Sequence, residues 1–160
     1  MPVRREAMDP RLVPDVWNWP SLHEAYLSLV RHFRGEFART LTALGAADPP
    51  AAVHCAGGRD RTGLACGMAL WLAGAEPEAI AADHRLSDDN WGSRNAAWIE
   101  EAPAGAERER RRRIAEPAGR TLVDVLEELD RREGIRALLL GAGADETALD
   151  RLVTRLRGEV

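Results

Sequence analysis

The sequence predicts an α/β fold that is rich in helix, with a reduced central sheet and a cluster of helices at the carboxyl end. The chain of 160 residues contains 27 alanines and only two phenylalanines, a composition that favours helix over sheet. Beyond residue 20, most apolar residues recur at the three- and four-residue steps of amphipathic helices. A chain of this length can bury roughly 70% of its unfolded surface around one core. We therefore expect one domain over residues 1–160.

The first predicted elements are a looped segment and a long helix. Residues 1–20 contain four prolines, each without a backbone donor, so we expect at most a short strand over residues 12–17. Ser21 and Glu24 have the spacing of a capping box, and the apolar residues that follow predict one amphipathic helix over residues 21–44.

The next segment has the order strand, loop, helix. A brief apolar run at residues 51–53 predicts a strand, and the helix after it begins near Thr62. Its apolar stretch, residues 63–75, is well short of the roughly 20 residues that cross a bilayer, so no membrane span is predicted. Another helix opens at Glu76 and Pro77 and is expected to end near Leu86.

The carboxyl third predicts short packed helices. A charge run at residues 107–113 has no apolar stripe, and its interspersed glutamates favour a solvated helix face over a surface that recruits acidic substrates. Apolar spacing predicts helices over residues 121–132 and 135–140, and Asp145 has the position of an N-cap for a last one.

Composition excludes several classes of function. Twenty-two basic against 26 acidic residues leave a net charge of −4, without the broad positive field that binds nucleic acid. All the basic residues are arginines, so a P-loop lysine and a lysine Schiff base are excluded. Cys55 and Cys66 are too few for a disulfide scaffold, and no apolar segment follows the charged amino terminus. We therefore expect a cytoplasmic protein.

The segment HCAGGRDRTG at residues 54–63 carries the clearest chemical pattern. Five residues separate Cys55 from Arg61, enough for the backbone to curl until its amides point inward at the start of a helix. A loop whose amides point inward in this way, called an anion nest, binds phosphate. Gly57 and Gly58 permit the tight turn that such a loop needs. The predicted phosphate-binding residues are Ala56, Gly57, Gly58, Arg59, Asp60 and Arg61.

The same amides would stabilise a thiolate at Cys55. A thiolate attacks phosphorus readily, which predicts a phosphocysteine intermediate that water then hydrolyses. Arg61 would hold the phosphate oxygens in both steps, and the Thr62 hydroxyl would donate to the sulfur and make it a better leaving group. His54 is expected to orient the loop.

This loop resembles the signature of the cysteine-dependent protein tyrosine phosphatase superfamily, which reads HC, five residues, then RT or RS. More closely, it resembles the HCxxGKDRTG-like loop of a bacterial tyrosine phosphatase family whose atypical members act on phosphoinositides as well as phosphoproteins. The stretch AGAEPEAIAADHRLS at residues 73–87 also resembles that family, and the likeness spans residues 10–157.

The resemblance implies roles for four residues of the loop. Cys55 would be the nucleophile and Arg61 the phosphate clamp. Arg59, where the family commonly has lysine, would be an additional cation at the pocket. Asp60 would be the general acid or the residue that organises it.

The general acid has other candidates. Trp19, Pro20 and Ser21 resemble the tryptophan-proline-aspartate loop of the better-known tyrosine phosphatases, but serine stands in the place of the acid. We prefer Asp60. The alternatives are Asp15, Asp88 and Asp89.

The resemblance also implies a tyrosine phosphatase-like fold. Members of the family usually carry strands ahead of the first helix, in a region that is nearly absent here. The strand at residues 51–53 would need neighbours from residues 1–20 or from a second chain, which gives a reason to expect a homodimer.

The function predicted first is hydrolysis of phosphomonoesters without a cofactor. Substrates would be a phosphorylated protein, a small phosphomonoester or a phosphoinositide. His23, His32 and His84 lack the spacing of metal ligands, so no metal is predicted. One alternative is a catalytically impaired protein that binds phosphate or a partner, and another is a sulfurtransferase or arsenate reductase that uses the same thiolate.

Overall fold

The structure, a computed structural model, describes Met8 and residues 19–159, except the side chain of Ser93. These residues form eight helices and no strand. The helices are α1 (Leu22–His32), α2 (Arg34–Ala46), α3 (Asp60–Leu72), α4 (Pro77–Glu100), α5 (Ala106–Ile114), α6 (Gly119–Glu133), α7 (Ile135–Gly141) and α8 (Glu146–Leu156).

The predicted α/β fold class is therefore wrong for the described residues. Residues 51–53 belong to the connection between α2 and α3. Ala51 and Ala52 are exposed and Val53 is half-buried, so this run buries too little apolar surface to order a sheet. The strand expected at residues 12–17 lies outside the described residues.

Without a strand at residues 51–53, the reasoning that led to a homodimer no longer applies. That reasoning required an unpaired strand edge, and the described residues contain none. Nothing else in the sequence points to a second copy of the chain.

The amphipathic segment after residue 20 forms two helices instead of one. Ser21 caps α1 as predicted, because its hydroxyl accepts the Glu24 amide at 3.2 Å. The break falls at Phe33, whose φ of −115° and ψ of 26° leave the helical region. Gly35 follows at once and lowers the local helix propensity. The Phe33 side chain stays buried at the break, so both helices cover the same core.

Helix α4 is longer than predicted. The polar residues 87–90 suggested an exit, since Ser, Asp and Asn compete for backbone hydrogen bonds. In the structure the helix continues to Glu100. Asp88 makes two tertiary hydrogen bonds from the middle of this stretch, to Arg59 and to the Ala118 amide. These contacts stabilise a helical conformation that local propensity opposes.

The helical cluster at the carboxyl end is confirmed. Helices α6, α7 and α8 coincide closely with the predicted segments, and Asp145 caps α8 by accepting the Ala148 amide at 2.7 Å. None of the described helices is both long and apolar enough to cross a membrane.

Helix α3 lies at the centre of the helical assembly. It contacts α1, α2, α4, α6, α7 and α8, which explains why its sequence is nearly apolar. Its buried Leu64 and Met68 belong to a core that also contains Phe37, Leu122 and Leu149. Because these contacts fix α3, the loop at its amino end is held on a rigid support.

Candidate active site

The loop at residues 54–59 leads directly into α3. Gly58 has a φ of 70°, a backbone conformation that glycine adopts without strain, and it turns the chain toward the helix. The Gly63 amide then bonds to the Arg59 carbonyl at 2.6 Å and closes the first turn of α3. The predicted loop and helix start are therefore present, although no strand precedes them in the described residues.

Backbone amides of the loop point at the sulfur of Cys55. The Gly58 amide donates to Cys55 Sγ over 3.2 Å. On the other side, the Thr62 hydroxyl oxygen accepts the Cys55 amide at 2.8 Å, which leaves the hydroxyl proton free to bond to the sulfur. Loop amides and the Thr62 hydroxyl thus lie around this thiol.

This environment lowers the pKa of Cys55. Burial by itself raises the pKa of a thiol, because it disfavours the thiolate. Hydrogen bonds from the Thr62 hydroxyl and from the Thr62, Gly57 and Gly58 amides act in the opposite direction and outweigh burial. The thiolate is therefore more populated at neutral pH than in an ordinary cysteine.

Cys66, two turns along α3, is a natural reference for Cys55. Burial and the nearby negative charge of Asp83 raise the pKa of the Cys66 thiol above its ordinary value. Both cysteines are free. One chain thus contains two half-buried thiols whose pKa values are shifted in opposite directions.

Alkylation by iodoacetamide should separate these two thiols. In a Cys66→Ala variant we expect Cys55 to react faster at neutral pH than Cys66 does in a Cys55→Ala variant, because the thiolate is the reactive form. The rate at Cys55 should also reach its plateau at a lower pH. Rates followed by mass spectrometry across a pH series give both midpoints. A midpoint for Cys55 at or above that of Cys66 would contradict the thiolate environment described above.

Arg61 shares a pocket with Cys55. One of its terminal nitrogens donates to the Met8 carbonyl at 2.6 Å, which fixes the side chain. A guanidinium has five N–H donors, so most of them remain available to phosphate oxygens. Arg61 and Cys55 therefore line the same pocket.

The pocket has a volume of about 90 Å³, several times the roughly 10–15 Å³ that one water needs. Cys55, Gly57, Asp60 and Arg61 contribute the polar groups of the loop and of the start of α3. Most of the remaining wall is apolar and is formed by Trp19, Leu22, Ala25, Leu29 and Ile114. Cys55 thus lines a cavity with a polar end and an apolar wall.

Asp60, the first residue of α3, is held by Tyr26. The Tyr26 hydroxyl donates to Asp60 Oδ1 at 2.7 Å. Burial and then the adjacent Asp60 charge raise the pKa of Tyr26 well above its ordinary value, so the phenol remains a donor. Asp60 lines the pocket, and its second carboxylate oxygen is free of this bond. No pattern in the sequence identified Tyr26 as a partner of Asp60.

Arg59 lies behind the loop, away from the pocket lining. Its side chain is buried, and its Nε donates to Asp88 Oδ1 at 2.8 Å. Its terminal nitrogens donate to the Ile114 carbonyl at 2.7 Å and to the Glu116 carbonyl. The other oxygen of Asp88 accepts the Ala118 amide at 2.8 Å. Arg59 thus connects the loop to α4, to the end of α5 and to the segment between α5 and α6.

Helix α4 supports the loop through two aromatic side chains. Trp91 Nε1 donates to the Gly57 carbonyl at 2.9 Å. His84 is buried against α3, and a Cβ on Gly63 would lie 2.3 Å from its Cε1 atom, so only glycine fits there. Burial lowers the pKa of His84, which keeps its imidazole neutral at the interface. Sequence reasoning did not identify either side chain as a support of the loop.

The other described residues that the sequence predicted for the site do not line the pocket. His54 is exposed, with Nδ1 3.2 Å from the Cys55 carbonyl, and Ala56 is exposed as well. Of the other acid candidates, Asp88 has both oxygens bonded and Asp89 is exposed outside the pocket lining. Asp15 lies outside the described residues.

In the part of the chain that the structure describes, no three His, Cys, Asp or Glu side chains are grouped as a metal ion would require. The donors around Cys55 are amides, a hydroxyl and a guanidinium, which suit an oxyanion.

The sequence matches a known family over nearly its whole length. A sequence model described as the tyrosine phosphatase family matches residues 4–158, a range that includes the Cys55 loop and all eight described helices. No curated protein and no solved structure matches the chain.

Proposed function

Because the chain belongs to the tyrosine phosphatase family, we propose that it hydrolyses phosphomonoesters by attack of Cys55 on phosphorus. One observation supports this proposal above all: loop amides and the Thr62 hydroxyl surround the Cys55 sulfur, and Arg61 lines the same pocket. Membership of the family supports a phosphatase, and this geometry supports the cysteine as its nucleophile.

In the first step, Cys55 Sγ forms a bond to phosphorus while the bond from phosphorus to the ester oxygen breaks. The electron pair of that bond goes to the leaving oxygen, which takes a proton from Asp60. This step therefore requires the protonated form of the Asp60 carboxyl in the substrate complex. Arg61 and the loop amides neutralise the equatorial oxygens, where charge is held through the transition state. The products are the free alcohol or phenol and a phosphocysteine.

In the second step, water attacks phosphorus and the Cys55 sulfur leaves as a thiolate. Asp60, now ionised, accepts a proton of the attacking water. The Thr62 hydroxyl and the Gly58 amide stabilise the departing sulfur through the bonds that lower its pKa in the resting protein. Phosphate is released and the resting thiolate is restored.

The apolar wall favours an aryl ester as substrate. Leu22, Leu29 and Ile114 would pack against the ring of a phosphotyrosine. An inositol ring would instead place several hydroxyl groups against these side chains without hydrogen-bond partners, which costs free energy. We therefore propose phosphotyrosine in proteins as the substrate, ahead of phosphoinositides.

The cellular location that we propose for the protein is the cytoplasm. Both cysteines are free, and a reducing compartment would keep the nucleophile as a thiol or thiolate.

Trapping the intermediate tests this proposal directly. Mixing the protein with 4-nitrophenyl phosphate and quenching in acid should add one HPO₃ unit to the peptide that contains Cys55. A burst of 4-nitrophenol equal to the enzyme concentration should accompany it if the second step is slow. The same increment should form in a Cys66→Ala variant. Turnover with a label on any other residue would contradict the mechanism, and binding of vanadate without turnover would point to an impaired phosphate-binding protein.

A further inference from the structure

The arginines of α5 do not all have the same surroundings. The sequence suggested an ordinary solvated face for residues 107–113, but only Arg112 of the five arginines there is exposed, and Arg110 lines the Cys55 pocket together with Arg113. Arg110 forms a bidentate pair with Glu107, with both distances 2.8 Å, and the exposed Arg112 pairs with Glu109 at 3.3 Å. Arg108 donates to the carbonyls of Ala102 and Glu100. Arg111 donates to Glu107 and to the Trp98 carbonyl, and lies over the Trp98 ring.

Arg113 differs from the other four. Its side chain has no hydrogen-bond or ion-pair partner among the residues that the structure describes. The residue is half-buried and lines the pocket that contains Cys55 and Arg61. The helix dipole favours a cation in the last turn of a helix. A side chain that extends into open solvent from that turn would gain the same stabilisation. The dipole therefore does not explain why this residue lines the cavity.

A partly desolvated guanidinium without a partner attracts an anion. Arginine stays charged at any working pH, and its planar fork suits the two oxygens of a carboxylate. The reacting phosphate already has the loop amides and Arg61. Arg113 belongs to a different element, α5, and is next to Ile114 of the apolar wall. It is thus available to a second anionic group of the substrate.

We propose that Arg113 forms a second anion subsite and that the preferred substrate is a phosphotyrosine peptide with an acidic residue beside the phosphotyrosine. This inference rests on the proposed function. The phosphate would occupy the Cys55 loop, the aromatic ring would contact the apolar wall, and the neighbouring carboxylate would bind the Arg113 guanidinium.

The experiment compares two peptides and two arginine variants. The peptides differ only in having Glu or Gln next to the phosphotyrosine. Wild type should favour the Glu peptide in kcat/KM by roughly five- to tenfold, as a partly buried charge-assisted pair allows. Arg113→Gln should abolish this preference. Arg112→Gln removes the same charge from the exposed side of the same helix and should preserve it.

Each other outcome would overturn the inference. A preference that persists in Arg113→Gln would show that another group reads the carboxylate. Equal losses on both peptides would show that Arg113 acts on the reacting phosphate. A soluble inositol bisphosphate that outcompetes both peptides through Arg113 would assign the subsite to a phosphorylated headgroup instead.

A binding measurement separates this inference from the proposed function. Fluorescence titration of the Cys55→Ser protein with the two peptides gives the ratio of their Kd values without turnover. If wild type hydrolyses neither peptide but this ratio favours Glu and is lost with Arg113→Gln, the subsite stands and the catalytic proposal fails. If hydrolysis proceeds and the ratio is about one, the subsite alone fails.

Discussion

Replacing Cys55 by serine is expected to lower kcat/KM for 4-nitrophenyl phosphate by at least about 10⁴-fold. The loop amides and the Thr62 hydroxyl lower the pKa of a thiol enough to populate its anion. A serine hydroxyl in the same place remains protonated. The groups that contact the Cys55 sulfur are hydrogen-bond donors, and none of them is a general base that could activate a serine hydroxyl. Initial rates of 4-nitrophenol release by the two purified proteins measure the effect.

The variant must keep the fold and the phosphate site for this loss to be informative. Serine is close to cysteine in size, so the variant should unfold at a similar temperature to wild type. It should also bind phosphate with a similar Kd, measured directly and not through inhibition of turnover. Cys66→Ala is the matched control, because it removes the other half-buried thiol and should change the rate by less than about twofold. Retention of more than a few per cent of the activity by Cys55→Ser would exclude the cysteine as nucleophile.

The loop could be predicted from sequence because its geometry is local. Cys55, Gly58 and Thr62 are within seven residues of each other, and their contacts need only a turn followed by a helix start. The helices at the carboxyl end were predictable for a similar reason, since Asp145 caps α8 with its own side chain. The family could be inferred from the same loop, and its match confirms it.

The groups that support the loop could not be predicted, because they depend on the tertiary fold. Asp88 is 29 residues from Arg59 in sequence, and the Glu116 carbonyl that Arg59 also contacts is 57 residues away. The resemblance implied a cation at the pocket for this position, whereas in the structure the guanidinium joins the loop to α4, to the end of α5 and to the segment before α6. Five donors on a planar group suit that task better than the single ammonium of lysine.

The sheet failed as a prediction for a related reason. The resemblance implied strands around residues 51–53, but strands are stable only with neighbours, and a three-residue run with two exposed alanines cannot recruit them. The site does not need a sheet in order to form, because α3 is held by the helices around it. The position of Cys55 is therefore set by the helix that follows it.

Asp60→Asn is expected to lower kcat/KM by about 10²- to 10⁴-fold for phenyl phosphate, whose phenol is a poor leaving group. The substitution keeps the size of the side chain and its acceptor for the Tyr26 hydroxyl, but it removes the proton that the leaving oxygen requires. An activated ester such as 2,4-dinitrophenyl phosphate needs little protonation and should lose much less. Rates for a series of aryl phosphates give the dependence on the leaving group, which should be steeper in the variant.

Two further variants distinguish a proton donor from a structural carboxylate. Asp89→Asn changes an exposed aspartate outside the pocket lining and should leave the leaving-group dependence as in wild type. Tyr26→Phe keeps the buried ring but removes the bond that holds Asp60, so its rate should fall by about tenfold while the dependence on the leaving group changes less than in Asp60→Asn. If Asp60→Asn slowed all esters equally, Asp60 would organise the loop and the acid would be another residue. A rate loss that grows with the basicity of the leaving phenol requires that the missing proton came from Asp60 itself, because a carboxylate that only shapes the loop affects every ester alike.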